Sequence, residues 1–526
     1  MNDDIEVAKM EITPNFDRAC HTEEPDDFFI DEIRVGRNNK RLPPKLHDNK
    51  ITYNEIIDNL RKKKNRSSPG EDGISYKLLK HAGKNLICGL ARLFTSLLIT
   101  GYFPEKWRTV RVRMLPKAGK NLSLSKGWRP ISLSSCTAKL FETSIKNRII
   151  KAQSIRGEEN IHQAAYKKGR STQEHLMRLT ECVTNAFAQR KSVVAVFLDV
   201  EGAFDKVWIN GLLWKILKMG LPSNLVKIVA CFLENRSLRV QVGDIMSEPV
   251  QMKAGTPQGA VISPTLYNIF VDDVIECVDG GVEIAQFADD IALWVADECP
   301  RRAELQMNQC LDKLSNWTSK WRVKLAPDKS AYMLFSRRPT HRRMTLNLRL
   351  LGQDIQRVQS HRFLGVKFDD KLNWKSCIQE ITGSAIPRIN ALKSISAKSI
   401  WRRPDWVIKL HEAVVNSIWK YGSVAFAGMN ESTWGKLRKL HASCLKSYAG
   451  TPQFIGYETI CDHLGVKDIR SEIMDYAKKR IIAMVSFSPF GRQCLEARAD
   501  PNETSYRGPI NSLITNEQRD LLLQQQ

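Results

Sequence analysis

The chain has 526 residues, 42% of them hydrophobic, with a mean hydropathy of −0.33. This is more than one hydrophobic core usually supports, so two or three domains are predicted, and collagenous, low-complexity and largely disordered classes are excluded. Lys and Arg total 80 against 57 Asp and Glu, a net charge of +23 that points to a polyanionic partner.

In chain order, residues 1–48 read as an acidic, mobile leader, since eleven acidic and only three basic side chains fall within the first 34. The opening Met1, Asn2, Asp3 and Asp4 is not a secretory signal, which predicts an intracellular protein, in the cytoplasm as a ribonucleoprotein or in the nucleus. A short helix is predicted over Asp48 to Leu60, followed by the basic run Arg61 to Arg66 and a turn-rich stretch from Ser67 to Gly73. The basic run suits nuclear import, a solvated face or contact with nucleic-acid phosphates. Helical periodicity covers Tyr76 to Thr100. Within it begins the longest apolar stretch, Leu86 to Phe103, which Arg92 interrupts, so it reads as a buried helix and not a membrane span.

Two short β-type runs follow around Val110 to Leu115 and Pro130 to Leu133, then a helical pattern from Ile161 to Gln189. Between Arg388 and Lys446 eleven Lys or Arg and three Asp or Glu are interleaved with Trp401, Trp406, Trp419, Tyr421 and Trp434. A basic, aromatic, helical region of this kind suits a nucleic-acid backbone; the alternative is a solvated helical domain with the Trp residues in its core. The twelve cysteines include no Cys-x-x-Cys pair and read as ordinary thiols of a reducing compartment.

Two acidic segments carry the chemistry. In Ser192 to Trp208, six apolar residues from Val193 to Leu198 lead directly into Asp199, the pattern of a strand buried on both faces. A carboxylate at the end of such a strand is costly unless solvated, paired or bound to a cation, or it caps the next helix. Val282 to Val295 reads as strand, turn, strand, with Asp289 and Asp290 at the turn. The chain has five adjacent Asp pairs, but only this one sits between two apolar strands. If the two segments are neighbours in one sheet, carboxylates about 4 Å apart repel by roughly 4 kcal/mol at an effective dielectric of 20. Divalent cations remove that penalty, and all-oxygen ligation suits Mg²⁺, which takes its remaining ligands from water and substrate phosphates. Two such ions serve an in-line phosphoryl transfer, so nucleotidyl transfer on a nucleic acid is the reading.

The motifs FLDVEGAFDKVW, AGTPQGAVISPTLYNIFVDDV, QFADDIALW, APDKSAYMLF and FLGVKFDDKLNW then occur in order, preceded by SSPGEDGIS and LPKAGKNLSLSKGWRPISLSS. This order resembles the reverse transcriptases of non-LTR (LINE-like) retrotransposons, most of all the jockey group, strongly over residues 49 to 375. The resemblance implies an α+β right-hand polymerase, with fingers and palm over 49–375, an antiparallel palm sheet, and a helical, basic thumb and C-terminal region over 376–526. It implies an RNA-directed DNA polymerase that extends a DNA or RNA primer on an RNA template with dNTPs and two Mg²⁺ ions, Mn²⁺ being a substitute. No membrane partner is expected.

By the same resemblance Asp199, Asp289 and Asp290 are the catalytic carboxylates, and with the carbonyl of Val200 they hold the metals. Phe204 is the steric gate against a ribose 2′-OH. Lys117 and Arg129 hold the triphosphate, and Arg61 to Arg66 contact template phosphates. Gly255, Gln258 and Gly259 form a loop against the template base and nascent pair, where a plain tight turn is the alternative. Lys329 lies near the leaving pyrophosphate as a general acid, or is a surface lysine beside a strand. Phe363, Leu364 and Gly365 help place the primer end. Asp205 matches the pattern, with no role beyond a salt bridge or cap. The residues ahead of the fingers are too few for the family's usual endonuclease, and Cys444, Cys461, His463 and Cys494 lack metal-ligand spacing. Two rivals are an inactive nucleic-acid-binding remnant and an RNA-dependent RNA polymerase, against which Phe204 speaks.

Overall fold

The structure is a computed structural model that describes residues 50–116, 119, 121–123, 127–156, 160–398, 404–488, 490, 513, 514 and 518. The leader over 1–48, Lys117, Trp401 and Cys494 lie outside the described residues. The chain divides into two compact units: one takes the stretch ending at Asn160 with Val200–Val274 and Asn316–Leu325, and the other takes Ile161–Asp199, Ile275–Ser315 and the chain from Ala326 on.

The first unit opens with the helix Tyr53–Arg61, capped by Thr52, whose hydroxyl accepts the Glu55 N–H. The periodic stretch from Tyr76 is two helices, Tyr76–Lys80 and Lys84–Thr100, the second ending at Gly101 with φ +71°. The apolar stretch predicted as a buried helix is instead amphipathic: Ile87, Ala91, Phe94 and Leu98 face the core, while Leu86, Leu93 and Ile99 are exposed. Leu97 is buried with them, so the helix buries one side only. Phe94, Phe103, Trp107, Phe141 and Phe232 form an aromatic cluster with ring centroids 5.2–6.3 Å apart.

The strand Thr109–Pro116 pairs antiparallel with Trp128–Leu133 and parallel with Arg236–Val242, so the two β-type runs of the sequence are adjacent strands. Arg236–Val242 also pairs with Ile245–Met246 and Val250–Met252. Helices Cys136–Arg156, Ile209–Lys218, Ser223–Leu233 and Ser263–Phe270 complete this unit.

The second unit is built on a five-stranded sheet in the order Gln356–Arg357, Ala331–Phe335, Ser192–Asp199, Asp290–Asp297, Glu283–Phe287. Ser192–Asp199 is central and antiparallel to both neighbours. Val193 to Leu198 are all buried, and Val193, Ala195 and Phe197 share a core with Leu176, Met177 and Val183 of the helix Thr172–Ala188. The predicted helix from Ile161 starts only at Thr172. Tyr166 and Gly169 have positive φ, which a right-handed helix does not accept, and Ala164 and His162 instead exchange backbone hydrogen bonds with Gln286 at the sheet edge.

The C-terminal region is helical, as expected: Lys375–Lys398, Pro404–His411, Glu431–Ala449, Tyr457–Leu464 and Ile469–Phe487. Of its named aromatics, Trp419 and Trp434 are buried in the core, whereas Trp406 and Tyr421 are exposed. Asp369 accepts the N–H groups of Lys371, Asn373 and Trp374, so this member of another Asp pair holds a turn. No described helix is long and apolar enough to cross a membrane.

Candidate active site

Asp199 is the last residue of the central strand, and Asp290 is the first residue of its neighbour. The two are direct partners in the antiparallel register. The turn between Phe287 and Asp290 holds only Ala288 and Asp289, and Ala288 has φ +57°, a position where glycine is the usual choice. Gln163 supports this turn by accepting the Ala288 N–H at 3.1 Å. Asp199 does not cap a helix, since the next one begins at Ile209.

Three carboxyl groups therefore share one end of one sheet. Burial, followed by the charges of Asp289 and Asp199, pushes the Asp290 carboxyl up to about 6. Burial and the charge of Asp199 also raise Asp289, against the backbone N–H that favours its ionised form. Such mutual penalty is what a cation relieves, and a donor set of carboxylate oxygens fits a hard divalent ion. Among the described residues no group of three or more His, Cys, Asp or Glu is arranged to hold a metal unaided. An ion bound through one or two carboxylates together with water and substrate phosphates needs no such cage.

A short turn on the adjoining strand fixes the other side of Asp199. The Ala326 N–H donates to the Asp199 carbonyl at 3.0 Å, and the Asp199 N–H donates to Ser330 Oγ at 3.4 Å. Ser330 in turn donates to the Ala326 carbonyl. This latch carries Lys329, whose Nζ lies 3.5 Å from Asp199 Oδ2 with both side chains about half exposed.

The hairpin Ser360–Phe363 to Val366–Asp369 turns on Leu364 and Gly365, both at positive φ. Phe363 is buried beside Phe197 and Phe368, and the Tyr421 hydroxyl donates to the Leu364 carbonyl at 2.7 Å.

In the first unit, Phe204 lies in the turn after Asp199, its ring 4.9 Å from that of Tyr267. Val200 bridges Leu325. The Gly255 N–H donates to the Val207 carbonyl at 2.9 Å and the Thr256 N–H to the Phe204 carbonyl at 2.7 Å. Gly255 and Gly259 have φ +79° and +105°. A Cβ at Gly255 would fall 2.4 Å from the Asp205 carbonyl oxygen, and one at Gly259 would fall 2.8 Å from that of Ser132. Arg129 lies on the strand Trp128–Leu133 opposite Leu115, with its side chain outside the described residues.

Residues 115–368 match the family of reverse transcriptases (RNA-dependent DNA polymerases). A probable RNA-directed DNA polymerase from transposon BS of Drosophila melanogaster is 27% identical over 440 residues, covering 82% of this chain and 48% of that protein. The RNA-directed DNA polymerase from mobile element jockey of the same organism is 27% identical over 435 residues, covering 82% and 47%. Over most of its length the chain is thus similar to RNA-directed DNA polymerases of transposons and mobile elements. It spans about half the length of these curated relatives. Among solved structures, an apo telomerase from Candida Tropicalis truncated from its C-terminal domain aligns with TM-score 0.37 and 11% identity, covering 54% of this chain and 59% of that one, a likeness too low to carry an inference.

The matched region, residues 115–368, contains all three carboxylates, Phe204, the Gly255–Gly259 loop and Lys329. Sequence reasoning left two of its residues without a function. Asp205 accepts the Gln258 side-chain amide with both carboxylate oxygens at 2.8 Å. Glu142, fully buried, accepts the N–H groups of Val261 at 2.6 Å and Ile262 at 3.3 Å, just ahead of the helix Ser263–Phe270. Spacing alone does not reveal either contact. The only sequence signal for Asp205 is its place directly after Phe204.

Proposed function

We propose that this reverse transcriptase domain extends the 3′-OH of a DNA or RNA primer on an RNA template, adding deoxynucleotides. The observation that carries the proposal is the direct pairing of Asp199 with Asp290 on adjacent strands, with Asp289 in the two-residue turn beside them. Asp199, Asp289 and Asp290, with the Val200 carbonyl, would hold two Mg²⁺ ions, or Mn²⁺ in their stead. Bound there, the ions supply charge to the attacking and leaving oxygens of the phosphoryl transfer.

The chain's own residues orient the reactants. Phe204 closes the space that a ribose 2′-OH would need. Lys117 and Arg129 bind the triphosphate, Arg through forked donors. Gly255, Gln258 and Gly259 bring backbone close to the template base and nascent pair. Lys329 donates a proton to the departing pyrophosphate. Phe363 anchors the hairpin whose tip, Leu364 and Gly365, supports the primer end. Residues 49–375 are read as fingers and palm, 376–526 as thumb and C-terminal region, and the excess positive charge serves template and primer backbones.

The test is primer extension by the purified chain on a primed RNA template with Mg²⁺, comparing dNTPs with NTPs and wild type with Asp289→Asn. Wild type should incorporate dNTPs, and Asp289→Asn should lose incorporation while still binding RNA. Equal activity of the variant would remove the mechanism, and RNA binding with no incorporation by wild type would remove the activity.

A further inference from the structure

The backbone of the loop from Gly255 to Gly259 is held by hydrogen bonds to its own N–H and C=O groups. Besides its bonds to Val207 and Phe204, the Ala254 and Gly255 carbonyls accept from the buried guanidinium of Arg236 at 2.9 and 2.5 Å. The Ser132 N–H donates to the Gln258 carbonyl at 3.0 Å. What the backbone does not fix is the side-chain amide of Gln258. Its two ends are alike in size, and a cavity of about 30 Å³ lined by Asp205, Arg236, Thr256 and Gln258 leaves room beside it. Shape alone does not choose which end faces inward.

Charge does choose. An ionised carboxylate only accepts hydrogen bonds, and both oxygens of Asp205 lie 2.8 Å from Gln258 Nε2. The reversed amide would set its carbonyl oxygen against two carboxylate oxygens. The bond to a charged acceptor is also stronger than one between neutral groups. We propose that Asp205 is a positioning residue for nucleotide addition: it locks the Gln258 amide with the NH₂ inward, so that the loop presents a carbonyl acceptor to the nascent pair. This rests on the reading of Gln258 as a contact to that pair. Asp205 itself touches no substrate, and its effect passes through Gln258. The gate residue Phe204 is adjacent in sequence and bonded to the same loop, so the lock ties pairing contact and sugar gate into one unit.

The experiment is single-nucleotide extension on a primed RNA template with the full chain, measuring kcat, KM for the correct dNTP and misinsertion. The variants are Asp205→Asn, Asp205→Glu, Gln258→Ala and Asp205→Asn with Gln258→Ala. Asp205→Asn should raise KM and misinsertion roughly tenfold, the loss of one charge-assisted hydrogen bond, with a smaller change in kcat. Asp205→Glu, which keeps the carboxylate, should recover part of this. In the Gln258→Ala background, Asp205→Asn should add nothing. An impaired Gln258→Ala beside a normal Asp205→Asn overturns the lock, and so does an Asp205→Asn effect that persists undiminished without Gln258. A normal Gln258→Ala instead removes the reading of the loop, and the lock's purpose with it.

Discussion

Lys329 holds its ammonium 3.5 Å from Asp199 Oδ2, carried there by the Ala326–Ser330 turn that is itself bonded to the Asp199 backbone. With both side chains about half exposed, this pair contributes at most about 1 kcal/mol to stability. Lys329→Gln should therefore leave the melting temperature almost unchanged. If Lys329 donates the proton to pyrophosphate, single-turnover incorporation should fall by roughly a hundredfold. Unchanged turnover would make Lys329 an ordinary surface cation.

Phe204 packs on Tyr267, so its ring cannot swing aside without losing that contact. Phe204→Ala should raise ribonucleotide relative to deoxyribonucleotide incorporation by roughly ten- to a hundredfold. Competition between NTPs and dNTPs on the same primed RNA reads this directly, and an unaltered ratio would assign sugar choice to another residue.

Gly259 offers a sharper structural test. Its φ of +105° is closed to other residues, and the atom a Cβ would strike is the Ser132 backbone oxygen. Gly259→Ala should destabilise the chain by about 2 kcal/mol or more, or displace the loop and cost incorporation without unfolding. Urea denaturation and primer extension together separate these outcomes, and a variant normal in both would contradict the geometry.

Glu142 gives a pH dependence remote from the carboxylate cluster. Burial pushes its carboxyl up to about 7, opposed by the N–H groups of Val261 and Ile262 and by Lys139 and Lys63. The folded chain therefore keeps a proton that the unfolded chain releases in the ordinary carboxylate range. Its contribution to stability is full below that range and is lost as pH rises towards about 7. Glu142→Gln keeps an acceptor and removes the titration, so its urea midpoint should change less between pH 5 and pH 8 than that of wild type. Parallel curves for the two proteins would refute the assignment.

Much of this arrangement is legible in the sequence because apolar runs and acidic turns are local patterns. Val193 to Leu198 leads into Asp199, and the strand, turn, strand pattern around Asp289 matches the observed hairpin. What is not legible depends on contacts between distant residues. The Ile161 to Gly169 stretch has helical periodicity but pairs with Gln286 instead. Leu86 and Leu93 look like core until Ile87, Ala91, Phe94 and Leu98 are found to fill it. Asp205 offers no more than a salt bridge or cap until Gln258 is brought to it, and nothing local to Glu142 announces its contact with Val261 and Ile262.

The central strand Ser192–Asp199 finds both its partners far downstream, in Asp290–Asp297 and Ala331–Phe335. During synthesis its apolar residues leave the ribosome well before either neighbour exists. Pairings so distant along the chain form slowly, and until they form the strand exposes two unpaired edges. A ribosome stalled before Phe335 would carry Asp199, Asp289 and Asp290 with one edge of their central strand still open. Premature release there would leave an aggregation-prone fragment, its central strand still lacking one of its two neighbours.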